Sequence, residues 1–172
     1  MAANASIPPL VLEDPRDNPE HYEFIRGHWL KKQSVGREDH SKLELLVTML
    51  LTPIANRLQC QVFQEWTIVH GEEKFIPDVT FSFPGWTTRD GYLVAPPFLA
   101  VETCSQGQRL KSLFDKCLLD YHRIGTPYCW VLDTEEQAAY ECHRVADGAN
   151  RLVTRLTAGP DVAISVLDLG WH

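Results

Sequence analysis

The chain has 172 residues, 44% apolar and 23% charged, which fits one globular domain with a sizeable core. A net charge of −7 and a pI near 5.4 exclude a protein that coats nucleic acid through bulk charge. No window approaches the roughly 18 unbroken apolar residues of a membrane span, and the N-terminus lacks the basic and apolar regions of an export signal, so a cytoplasmic protein without membrane association is expected.

Residues 1–20, with Pro8, Pro9, Pro15 and Pro19 among several acids, read as an irregular arm, leaving 21–172 as a single domain. Residues 22–31 read as two short strands around a turn at Gly27. Asp39 is placed to cap a helix in which Leu43, Leu46, Val47, Leu50, Leu51, Ile54 and Leu58 keep helical spacing. Pro53 inside that run predicts a kink or an early end. Residues 61–69 read as a strand, 75–83 and 98–104 as two more, and 84–97 as an exposed loop. An amphipathic helix follows, with Leu110, Leu113, Phe114, Cys117, Leu118, Tyr121 and Ile124 on one face and Gly125 placed to end it. Residues 128–133 read as a buried strand, 138–144 as an alternating one, with weaker strands near 151–156 and 162–168. The layout predicts an α/β (α+β) fold, a central mixed β-sheet flanked by helices with an N-terminal β-hairpin.

Within this frame two acids stand out. Asp78, in Phe75-Ile-Pro-Asp-Val79, and Glu102, in Phe98-Leu-Ala-Val-Glu102, each sit in a run with the composition of a buried strand. A buried carboxylate is costly unless something pairs with it. If their strands are neighbours, the two acids make a hard-cation site of the kind that holds Mg²⁺ or Mn²⁺ for phosphoryl chemistry. The plainer alternative is that each acid ends its strand in solvent or meets a nearby Lys or Arg.

Such a site also calls for a lysine that orients or deprotonates the attacking water and offsets developing charge. The simplest place is two residues after the second acid, on the same strand face, and Cys104 stands there. The cation must then come from elsewhere, or the site is impaired. Lys111 and Lys116 on the following helix are candidates, lying about 90° and about 130° from the centre of its apolar face at about 100° per residue. That geometry slightly favours Lys111 and excludes neither. His40 and Glu44, one turn apart, could add a ligand or position water; cap-region and surface roles are the commoner ones for such residues. The basic clusters Lys31, Lys32, Arg37, Lys42 and Arg109, Lys111, Lys116 read singly as solvated faces. Five cysteines without a CxxC pair indicate buried thiols in a reducing cytosol rather than a zinc site or disulfide framework. No HExxH, Walker-type loop or GxSxG elbow is present.

The order Val35-Gly36-Arg-Glu-Asp-His40-Ser41, Pro77-Asp78-Val79, Pro97-Phe-Leu-Ala-Val-Glu102 and Gly125-Thr-Pro-Tyr-Cys-Trp130-Val-Leu-Asp133 resembles the Uma-two family. That family consists of restriction-endonuclease-like proteins of the PD-(D/E)XK superfamily, and the likeness spans about residues 22–145. The resemblance implies a metal site built from Asp78 and Glu102 and a motif lysine moved to the following helix, at the place of Lys116. The stretch from Lys116 to Tyr121 is one residue longer than the family's usual pattern, which keeps Lys111 as a substitute. The expectation is a Mg²⁺- or Mn²⁺-dependent DNA endonuclease acting as a homodimer, with catalytic Asp78, Glu102 and Lys116. The alternative is an inactive nuclease fold used as a protein-binding or regulatory module.

Overall fold

The computed structural model describes residues 21–32, 38–85, 88–144 and 150–171, so the expected arm at 1–20 lies outside the described residues. The mixed α+β fold is as expected, and strands fall into two six-stranded sheets and a two-stranded one.

The principal sheet has the order β12-β11-β10-β9-β6-β3. Its centre is β9 (Leu99–Cys104) and β10 (Tyr128–Asp133), paired in parallel. Antiparallel neighbours are β6 (Val79–Ser82) and β3 (Gln61–Gln64) on one side, β11 (Ala138–Cys142) and β12 (Asn150–Val153) on the other. Both central strands are covered on both faces, which is why they read as unbroken apolar runs.

Alternation then sorts their side chains into two cores. Leu99, Val101, Trp130 and Leu132 pack with Leu43, Val47, Leu51 and Ala55 of helix α1 (Glu38–Leu58). Ala100, Cys104, Cys129 and Val131 point the other way, against Leu113, Cys117, Tyr121 and Ile124 of the second helix. Helix α1 starts at Glu38, so Asp39 lies inside the first turn, where an acid suits the helix dipole, rather than ahead of it as a cap. Nor does Pro53 end the helix, which runs on to Leu58. The carbonyl that loses its partner to the proline is that of Met49, an exposed residue.

The second sheet, β2-β1-β5-β4-β8-β7, closes the other core. The expected hairpin is there as β1 (Tyr22–Ile25) and β2 (His28–Lys31), turning through Arg26 and Gly27, both at positive φ. The run 61–69 is not one strand. It breaks at Glu65, whose left-handed φ of 48° sends the chain out of β3 and into β4 (Ile68–His70) of the second sheet. The chain returns through β5 (Glu73–Phe75) and Ile76-Pro77, reaching the principal sheet at Asp78. Within 84–97, β7 (Thr88–Arg89) and β8 (Tyr92–Leu93) form a hairpin in place of an open loop, with Leu93 fully buried. The weaker strands resolve into β12, β13 (Arg155–Ala158) and β14 (Val162–Ser165), the last two forming the small sheet.

Candidate active site

The site forms where β1, α1, the start of β6, β9 and the second helix converge. Antiparallel pairing of β6 with β9 sets Val79 against Val101, and one residue further along this register Asp78 faces Glu102. The two acids expected to be neighbours are therefore opposed on adjacent strands, and both are buried. Glu102 shares its strand face with Cys104, which packs in the apolar core beside the second helix and brings no charge.

That helix brings an ammonium to Glu102. Helix α2 (Leu110–Lys116) continues through a π-helical turn, Cys117–Tyr121, into a final turn, His122–Ile124, that stops at Gly125 with φ 111°. Lys116 Nζ lies 2.9 Å from Glu102 Oε1 and 2.9 Å from Glu23 Oε1 of β1. The Tyr121 hydroxyl donates to the same Glu102 oxygen, and its ring lies 5.4 Å from the ammonium. In an α-helix five positions turn through about 500°, leaving two such side chains about 140° apart. Residues 117–121 instead form a π turn, whose wider spiral brings both onto one carboxylate. Lys111, by contrast, is exposed and pairs with Asp115 at 2.7 Å.

Asp78 is held differently. Its Oδ2 accepts the Thr103 backbone N–H at 2.6 Å and lies 3.5 Å from His40 Nε2. Its Oδ1 accepts no well-directed hydrogen bond and meets the Lys32 ammonium as an ion pair at 2.8 Å. His40 also reaches Glu44 Oε1 at 3.1 Å through Nε2 and Ser105 Oγ at 2.9 Å through Nδ1. Asp78, His40 and Glu44 thus bring one ligand atom each within 4.8 Å of one another. Glu102 is not part of that group.

Electrostatics follow from these contacts. Burial opposes ionisation of Asp78, but the Lys32 ammonium and His40 outweigh it and hold the carboxyl well below its ordinary value. Burial pushes Glu102 up, to about 7, against the pull of Lys116; the Asp78 and Glu23 carboxylates add to the rise. Lys116 is buried too, yet Glu102 and Glu23 raise it, so it stays an ammonium. Burial lowers His40, and its bonds to Asp78 and Glu44 more than compensate, raising it to about 9.

Lys32 and Glu23 are the members that the sequence reading passed over. Lys32 sits beside an exposed Lys31 and was grouped with solvated charges, whereas it is buried. Glu23, between Tyr22 and Phe24 in an apolar strand, carried the same signal as Asp78 and Glu102: an acid among residues that bury themselves.

Over residues 10–172 the chain matches the Uma2 family, described as "Putative restriction endonuclease". Among solved structures it is similar to the crystal structure of a putative nuclease belonging to DUF820 from Anabaena variabilis ATCC 29413. The two superpose with a TM-score of 0.72 at 18% identity, over 87% of this chain and 90% of that one, a likeness of fold. No curated protein matches the chain.

Proposed function

Because this chain belongs to the Uma2 family, we propose that it is a metal-dependent endonuclease that hydrolyses DNA phosphodiester bonds with Mg²⁺ or Mn²⁺. The observation that carries this reading is the set of Asp78, His40 and Glu44 ligand atoms within 4.8 Å, beside the Glu102–Lys116 pair. The donor set fits such an ion: two carboxylates and an imidazole, with an Asp78 oxygen that is buried and accepts no well-directed hydrogen bond. Asp78 and Glu102 would hold the metal, with His40 and Glu44 as accessory ligands.

A bound divalent ion polarises the phosphate and lowers the pKa of a water. The chain's own residues do the rest. Lys116, kept protonated by two carboxylates, offsets charge that develops on the phosphate; it does not act as the base. Tyr121 and Glu23 hold Glu102 and Lys116 in place. In the reaction the water oxygen bonds to phosphorus as the ester P–O bond breaks. The proton of the water leaves to solvent, and the departing oxygen is reprotonated from solvent. A two-fold dimer would present two sites to the two strands of a duplex. Five buried free cysteines suit a reducing compartment such as the cytoplasm.

A second reading, an inactive nuclease fold serving as a binding module, is favoured by one observation. Each acid already has an ammonium within 3 Å, Lys32 on Asp78 and Lys116 on Glu102. Mn²⁺ titration of wild type and Asp78→Asn by calorimetry, followed by plasmid nicking, separates the two. Binding and nicking in wild type, both lost in the variant, support the nuclease. A wild type that binds no Mn²⁺ and leaves the plasmid intact leaves the binding module.

A further inference from the structure

Lys32 takes no part in the mechanism above, although its ammonium is buried against Asp78. An ammonium has three N–H donors. One is well used, by the Ile76 carbonyl at 2.9 Å, and the ammonium faces Asp78 Oδ1 at 2.8 Å as an ion pair. Among the described residues the next acceptor is Glu65 Oε1 at 3.5 Å, beyond a good hydrogen bond. Lys32 and Glu65 both line a cleft of about 180 Å³, together with His21, Thr67, Ile76 and Tyr92. The cleft therefore leads to a fixed cation at the candidate metal ligand.

Glu65 is built into the same place. It holds the left-handed backbone at the break between β3 and β4, and its N–H donates to the Asp78 carbonyl at 3.0 Å. Its carboxylate is half-exposed, so it can leave the ammonium at little cost. A strained non-glycine residue beside a charged cleft is the kind of feature that functional sites retain.

We propose that Lys32 is a second catalytic lysine, donating an N–H to a non-bridging phosphate oxygen of the strand being cut, and that Glu65 is the group the phosphate displaces. This rests on the nuclease reading. Lys116 sits on Glu102 and Lys32 on Asp78, so each of the two facing acids carries its own ammonium. Because Asp78 and Ile76 fix the ammonium before substrate arrives, no reorganisation is needed when charge develops.

The test uses supercoiled plasmid and Mn²⁺ with wild type, Lys32→Met and Glu65→Gln, measuring kcat, KM and, by calorimetry, Mn²⁺ affinity. Lys32→Met should nick about 100-fold more slowly while binding Mn²⁺ at least as tightly, since a competing cation has left Asp78. Glu65→Gln, a half-exposed position safe for folding, should lower KM about fivefold, since the carboxylate that competes with phosphate loses its charge. An active wild type with Lys32→Met nicking at the same rate overturns the role of Lys32 alone. So does a Lys32→Met that loses Mn²⁺ binding and nicking together, or a Glu65→Gln with wild-type KM. A wild type that neither binds Mn²⁺ nor nicks overturns the nuclease reading, and this inference with it.

Discussion

Asp78 and Glu102 face each other across neighbouring strands, and each meets a lysine within 3 Å, yet their buried carboxyls are driven in opposite directions. The difference lies in how many donors each carboxylate has to itself. Asp78 receives Lys32, His40 and the Thr103 N–H, all favouring its charge. Glu102 shares the ammonium it contacts, Lys116, with a second acid, Glu23, and is close enough to Asp78 to feel its charge. A nearby lysine therefore does not by itself keep a buried acid ionised; the whole charge count around it decides.

The largest break in this comparison comes from Asp78→Asn. Two buried cations, Lys32 and His40, lose their shared partner, a loss on the order of 3–5 kcal/mol, together with Mn²⁺ binding. Chemical denaturation should show Asp78→Asn/Lys32→Met recovering most of that stability, because the unpaired charge has gone with its partner, while calorimetry still finds no metal. A double variant no more stable than the single one would show that Lys32 does not balance Asp78.

Glu102→Gln probes the other half through pH. The folded protein binds the Glu102 proton more tightly than the unfolded chain, with the value raised from 4.5 to about 7. Its contribution is complete below about pH 4.5 and is lost as pH rises through about 7. The wild type should thus lose up to a few kcal/mol over that window, and Glu102→Gln should flatten the loss. Asp78 has the reverse sign: its contribution is present above the ordinary carboxylate range and lost as pH falls through its depressed value. His40 behaves like Glu102 at higher pH, its share complete below 6.5 and lost through about 9. A stability profile of Glu102→Gln parallel to wild type between pH 4.5 and 7 would mean that Glu102 is ionised throughout, and the contrast with Asp78 would vanish.

A smaller effect is expected at Tyr121, whose hydroxyl donates to Glu102 from inside the π turn. Tyr121→Phe removes one buried hydrogen bond to a carboxylate, about 1–3 kcal/mol, and frees Glu102 to move relative to Lys116. Thermal melting reads the first effect and the nicking rate the second; an unchanged melting temperature would leave the π turn with no purpose at this site.

How much of this the sequence carried differs between the two halves of the fold. The principal sheet was legible because β9 and β10 are six residues long and buried on both faces, so composition alone marks them. Of the second sheet only the β1–β2 hairpin was. Its strands are two to four residues long, and the break that separates it from β3 is one left-handed Glu65 in an otherwise strand-like run. The same contrast holds at the site. Asp78 and Glu102 were found because acids stand out in apolar runs, but Lys32 looked like one of two solvated lysines. Its burial depends on a contact 46 residues away, which no local pattern encodes. The π turn between Lys116 and Tyr121 had no signal in the apolar spacing, which reads as one continuous α-helix; it accompanies the meeting of both side chains on one carboxylate.

The smallest effect expected is at Lys111, and it sharpens the choice between the two helix lysines. By position on the helical wheel Lys111 had the edge, because the wheel assumes uniform α-helical rotation. The π turn lies beyond Lys116 and leaves that residue's angle untouched, so rotation alone does not explain the outcome. Reach and partners do: Lys116 extends to two buried acids, whereas Lys111 has Asp115 one turn away on an exposed surface. An exposed pair of this kind contributes under about 0.5 kcal/mol, so Lys111→Met should melt and nick as wild type does. Lys116→Met should keep Mn²⁺ binding and lose nicking, since it removes charge from the phosphate without touching Asp78. If instead Lys111→Met loses nicking and Lys116→Met does not, the cation is delivered by a rearranged helix, and the Glu102 side of the site must be redrawn around Lys111.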